Sequence, residues 1–112
     1  MKKFLIIFFL ITSTSFAEEM KYLIKIKDHK FQPTEITVAA EQKFILVIEN
    51  LDETLEEFES DDLRKEKLVG AGKKITIPVN ALKPGEYKFY GDFHQKTAQG
   101  KIVVKPKSDP FF

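Results

Sequence analysis

Cysteine is missing from all 112 residues. Its absence excludes disulfide staples, thiol nucleophiles, thiolate metal sites and dithiol redox exchange at one stroke. Histidine is scarce, with two in the chain. No Ser or Thr sits in a nucleophile motif, and no Gly-rich phosphate loop is present. Hydrolytic chemistry needs a nucleophile with a base beside it, or a metal-activated water. Catalysis without a metal is therefore not expected, and metal oxidation, such as ferrous to ferric, is the one reaction left to consider. Glycine and proline number five each and are spread singly, with no internal repeat or low-complexity block. A large excess of either charge is also lacking, with 18 basic against 17 acidic residues. That balance argues against nucleic acid or an anionic membrane surface as the partner.

The first residues depart from this polar, balanced character. Lys2 and Lys3 precede eight apolar residues, Phe4 to Ile11, and a short polar run leads to Ser15-Phe16-Ala17. Small side chains three residues and one residue before a cut site suit signal peptidase. The apolar run falls far short of the roughly 18–20 residues that span a bilayer. No cysteine follows it to carry a lipid. The expectation is a cleaved signal peptide over residues 1–17 and an exported, periplasmic domain over 18–112. Such a domain has room for one core and must hold it by packing alone, with seven of the chain's eleven phenylalanines to help.

Beyond residue 20 the pattern has the period of strands. Lys21 to Lys27 alternates apolar and charged at its end, and Glu35-Ile36-Thr37-Val38 alternates polar and apolar. Lys43 to Glu49 is a continuous apolar run suited to a central strand buried on both faces. Lys73 to Val79 reads as a strand whose Pro78 suggests an edge or a strand end. Leu82-Lys83-Pro84-Gly85 is a tight turn before the strands Glu86–Tyr90 and Lys101–Lys105. Residues 50–68 are ambiguous. Thr54-Leu55-Glu56-Glu57 has capping-box spacing, and Leu55, Phe58 and Leu63 would share a helical stripe, so taken alone the segment favours a helix. The whole implies an all-β domain, a two-sheet sandwich of about seven to eight strands.

In this order the features resemble the cupredoxin family, a Greek-key β-sandwich. The resemblance is carried by Phe31-x-Pro33-x-x-Ile36-x-Val38, by Asn50-Leu51-Asp52, and by Leu82-Lys83-Pro84-Gly85-Glu86-Tyr87-x-Phe89-Tyr90 followed by a His and Gly100-Lys101-Ile102-Val103-Val104. It implies a strand through Phe58 and so replaces the helix. It also implies where copper ligands would stand. The family's first His falls on Glu56, its Cys on Gly91, its second His on His94 and its axial Met on Ala98. A thiolate sets the potential and geometry of a blue-copper centre, so blue-copper electron transfer is excluded. What remains is a carboxylate-and-imidazole set, Glu56, His94 and Asp92, expected at one end of the sandwich. It is harder than the original and better suited to Cu(II), Fe(II/III) or Zn(II) than to Cu(I).

The acidic segment 54–63 and residues 93–100 are similar to those of periplasmic cupredoxin-like proteins associated with iron-permease uptake. That similarity implies a metal-binding protein accessory to iron or copper uptake, with a copper or iron ion as cofactor. Its expected partners are an inner-membrane iron permease or a periplasmic metal-binding protein. The competing expectation is a metal-free interaction domain that offers the acidic segment to a partner. His29, in Asp28-His29-Lys30, reads as a lone loop histidine without a role. Phe93 beside His94 is a candidate for exposure at the ligand end.

Overall fold

The computed structural model describes residues 19–107. The signal-peptide expectation and the terminal Phe111-Phe112 lie outside them. Nine strands follow in order: β1 Met20–Lys27, β2 Lys30–Gln32, β3 Glu35–Ala39, β4 Phe44–Asn50, β5 Glu56–Ser60, β6 Lys65–Val69, β7 Lys74–Val79, β8 Gly85–Gly91 and β9 Gln99–Lys105. One sheet has the order β2-β1-β4-β7 and the other β3-β9-β8-β5-β6. Both are mixed, because β1 runs parallel to β4 and β3 parallel to β9. The all-β sandwich expected from the sequence is what forms. Pro78 does lie in an edge strand, β7, where a missing N–H costs no ladder bond.

Period-2 alternation builds the core. Ile24 and Ile26 of β1, Leu46 and Ile48 of β4, and Ile77 and Val79 of β7 face inward from the first sheet. Ile36, Val38, Phe58, Phe89, Ile102 and Val104 face them from the second. Strand β4 is central, as its apolar run suggests, yet it alternates buried with half-buried positions and is not closed on both faces. Phe31 of β2 reaches across the sandwich, its ring centroid 5.0 Å from Phe89 and 6.2 Å from Phe58, while Phe58 and Phe89 are 5.2 Å apart. Edge-to-face and offset contacts of this kind add to plain burial.

Residues 50–68 contain no helix. They form the β5–β6 hairpin, with Glu56 opposite Val69 and Ser60 opposite Lys65. Glu56, Phe58 and Ser60 point inward and Glu57 and Glu59 outward. The inward set mixes an acid and a hydroxyl with one phenylalanine, so the strand period is hidden from a reading based on apolar residues alone.

Candidate functional site

One end of the sandwich gathers three connections: the turn between β1 and β2, the loop from β4 to β5, and the loop from β8 to β9. The register brings the first two together, because β1 runs parallel to β4 with Ile26 beside Asn50. Asn50 is buried and organises the second loop. Its Nδ2 donates to the carbonyls of Thr54 and Val69 at 2.8 and 3.0 Å, and its Oδ1 accepts the Asp52 N–H at 3.0 Å. Both amide groups are thus satisfied, as a fully buried amide requires. The loop then delivers Glu56 to the start of β5.

The third loop leaves β8 at Gly91, makes a single 3-10 turn over Asp92–His94, and returns at Ala98. Its ends are tied where the Gly91 N–H donates to the Ala98 carbonyl at 2.9 Å and the Ala98 N–H to the His94 carbonyl at 2.8 Å. His94 is held in this closed loop and leans on Glu56.

Glu56 is 1% exposed, an unusual place for a carboxylate. Three donors compensate it. Oε1 accepts the backbone N–H groups of Glu57 and Phe93 at 3.0 and 2.9 Å, and Oε2 accepts Nδ1–H of His94 at 2.5 Å. Charge-assisted bonds of this kind are what make a buried carboxylate tolerable. Because a carboxylate oxygen only accepts, Nδ1 of His94 carries hydrogen, and in the neutral ring Nε2 keeps the lone pair. His94 is 26% exposed in its side chain, so the imidazole reaches the surface.

The expected pair Glu56 and His94 is therefore brought together. Asp92 goes elsewhere: its carboxylate lies with Glu57 and Glu59, their oxygens within 4.8 Å of one another, on the outer face of the second sheet. Partial burial and the carboxylates of Glu66, Asp92 and Glu59 raise the Glu57 carboxyl above its ordinary value. Burial, with Asp61, Glu59 and Asp92 nearby, pushes the Tyr90 hydroxyl up to about 12.

His29 is not the isolated loop residue its sequence context suggests. Its ring stacks on His94 with centroids 3.6 Å apart and planes 13° from parallel. Asp52 holds the turn beneath it, accepting the N–H of Asp28 at 2.8 Å and of His29 at 3.0 Å. Burial pushes the Asp52 carboxyl up, but these two N–H groups and the nearby imidazoles outweigh it and keep it below its ordinary value. The register of β1 on β4 is what places Asp28 beside Asp52. No local pattern announces that a residue 65 positions away joins His94; only the parallel pairing of β1 and β4 could have signalled it. Phe93 is 47% exposed at this end, and Leu51 and Leu55 are exposed in the β4–β5 loop.

The four positions that the resemblance assigns to copper ligands do converge. A Cβ at Gly91 would lie 2.7 Å from Cδ of Glu56, 2.8 Å from its Oε2 and 2.8 Å from Cβ of Ala98. The profile of the cupredoxin-like domain family matches residues 3–104. The chain belongs to that family. An uncharacterized protein of Rickettsia prowazekii (strain Madrid E) is 53% identical over 81 residues, which is 72% of this chain and 65% of that relative's length. Among solved structures, auracyanin A, a blue copper protein of Chloroflexus aurantiacus, has a TM-score of 0.67 at 16% identity, covering 78% of this chain and 99% of its own. The metal-binding domain of the Cu(I)-exporting P-type ATPase CopA of Streptococcus pneumoniae has a TM-score of 0.66 at 14% identity, covering 76% and 84%. At these identities the likeness is one of fold.

A blue-copper centre does not fit this cupredoxin-like chain. It has no thiolate to offer, and the space beside residue 91 is filled by the Glu56 carboxylate. A site of another kind, built on imidazole and carboxylate, fits the residues present.

Proposed function

We propose that the chain is a periplasmic cupredoxin-like metal-binding protein, accessory to iron or copper uptake, that holds its cation at the apex formed by Glu56 and His94. The observation that carries this reading is the buried carboxylate bonded to Nδ1 of His94. Such a carboxylate fixes the tautomer and orientation of the ring and leaves Nε2 as the metal donor, an arrangement common behind metal-ligating histidines. Glu56 acts here as the holder and His94 as the donor, and Asp92 contributes to the neighbouring negative potential. The copper chemistry named for two of the fold's relatives supports the choice of cation. The exported location rests on the character of residues 1–17. An inner-membrane iron permease, or a periplasmic metal-binding protein, is the partner that such a role requires.

Titration of the chain from residue 18 onward with Cu(II), Fe(II) and Zn(II) tests the reading. His94→Ala should abolish tight binding, and Glu56→Gln should weaken it by about 10–100-fold. Affinity unchanged in both variants overturns it.

A second reading has its own observation. Glu59 stands directly opposite Glu66 on β6, and Glu57, Glu59 and Asp92 are clustered. Among the described residues, no ion pair involves any of these four. An un-neutralised acidic face suits a basic protein partner without any metal. Capture that persists in chelator and vanishes when Glu57, Glu59 and Asp61 are neutralised would favour it over the metal.

A further inference from the structure

Nε2 of a single imidazole holds a cation weakly, and the apex contains a second one. We propose that His29 is a further donor to the same cation, so that both histidines of the chain form a two-imidazole site with Asp52 and Glu56 behind them. This rests on the metal-binding reading of the apex and extends it to the β1–β2 turn.

Three observations converge. The two histidines, 65 residues apart in sequence, meet ring to ring at 3.6 Å. Each has a carboxylate beside its Nδ1: Glu56 at 2.5 Å for His94, and Asp52 at 3.5 Å for His29. Nδ1 of His29 is buried and makes no hydrogen bond, while Nε2 of neither ring is used in a hydrogen bond among the described residues. The turn that presents His29 is also held in a costly conformation. Asp28 and His29 are consecutive non-glycine residues at φ 53° and 58°, a region that such residues seldom occupy. Asp52 secures that conformation through both backbone N–H groups.

Stacked rings cannot share an ion as they stand, because their in-plane lone pairs run side by side. One ring has to turn. His94 is tied by its bond to Glu56. His29 is not: 40% of its side chain is exposed, and its Nδ1 lies too far from Asp52 for a firm bond. Loading is therefore a rotation of the His29 side chain over a fixed backbone, ending with two imidazole nitrogens and the negative charge of Asp52 and Glu56 around one ion. That donor set suits Cu(II) or Zn(II), which imidazole favours.

The test titrates Zn(II) and Cu(II) into the wild-type chain and into His29→Asn and His94→Gln. Asparagine tolerates the left-handed turn, and glutamine can still donate to Glu56. Unchanged ion-free melting temperatures show that both variants keep the fold. The expected result is at least a tenfold loss of affinity in each. NMR of the imidazole protons should show both rings shifting together as Zn(II) is added, with the mutual ring-current shift of the stack lost. Full affinity in His29→Asn with loss in His94→Gln overturns the proposal and leaves the apex reading standing. Full affinity in both variants, or no binding by the wild type, removes the apex reading itself. If His29→Asn melts lower without ion, Asp52→Asn with His29 intact is compared, and Zn(II) shifts confined to the His94 ring overturn the proposal.

Discussion

Gly91 and Glu56 exclude each other's growth: a Cβ on residue 91 would come within 2.7 Å of Cδ of Glu56. The backbone at Gly91 is ordinary extended chain, φ −92° and ψ 113°, so space and not conformation demands glycine there. Strand pairing leaves no slack, since Gly91 is registered with Phe58 on β5. Gly91→Ala should lower stability by about 1–3 kcal/mol through overpacking. Combining it with Glu56→Ala should be non-additive, because removing the carboxylate relieves that clash and leaves only the contact with Cβ of Ala98 at 2.8 Å. Urea unfolding of the four proteins in the cycle measures the coupling, and strict additivity would show that the two residues do not compete.

The Glu56–His94 bond carries a second expectation, on stability and not on metal. Glu56 is fully buried and loses one of its three donors in His94→Ala. Leaving a buried charged acceptor short of a partner costs about 1–3 kcal/mol. His94→Gln should recover most of that loss, since its amide can donate to Oε2. Equal destabilisation by alanine and glutamine would mean that ring packing against His29, and not the bond, holds Glu56 in place.

The strands that carry the core were largely legible because their apolar residues alternate or run together: β1, β3, β4, β7, β8 and β9 all coincide with such patterns. The β5–β6 hairpin was not, for a reason tied to the site. Glu56 and Ser60 occupy inward positions where a hydrophobic residue is expected, and both are satisfied by partners distant in sequence, His94 and the Lys88 carbonyl. The capping-box pattern at Thr54–Glu57 is real in composition but has no helix to cap. Of the site, Glu56 and His94 followed from positions in a family pattern. His29 and Asp52 did not, because their roles come from the register of β1 on β4. Asp92 stands two residues before His94 on the 3-10 turn, and its carboxylate lies with Glu57 and Glu59 and not with the Glu56–His94 pair.

Asp52 should govern the β1–β2 turn. It accepts from Asp28 and His29, the two residues whose positive φ gives the turn its shape. Asp52→Ala leaves both N–H groups without their acceptor and should cost about 1–3 kcal/mol. The carboxyl titrates below its ordinary 3.8 in the folded chain. Its contribution is thus present in full above that value and disappears as pH falls through the lower folded one. Amide exchange at Asp28 and His29, relative to the unfolded-chain rate at the same pH, should accelerate in that acid range in the wild type. Rates insensitive to both acid and the substitution would show that the turn is held by other contacts.

Glu57 sets the opposite pH dependence on the outer face. Its carboxyl is raised above the ordinary 4.5 by partial burial and by the charges of Glu66, Asp92 and Glu59. The folded chain therefore takes up this proton more readily than the unfolded chain. The associated stability is complete below 4.5 and is lost as pH rises through the raised folded value. Above that window the cluster is fully charged and self-repelling, with Glu59 facing Glu66 across the β5–β6 ladder. Glu57→Gln should flatten the fall in melting temperature on the way from pH 4.5 to neutrality and leave the protein more stable at pH 7. Added salt should narrow the difference between the two proteins, because exposed like charges are screened. A variant that melts lower than wild type at neutral pH, in low salt, would show that Glu57 makes a favourable contact there and that repulsion does not dominate this face.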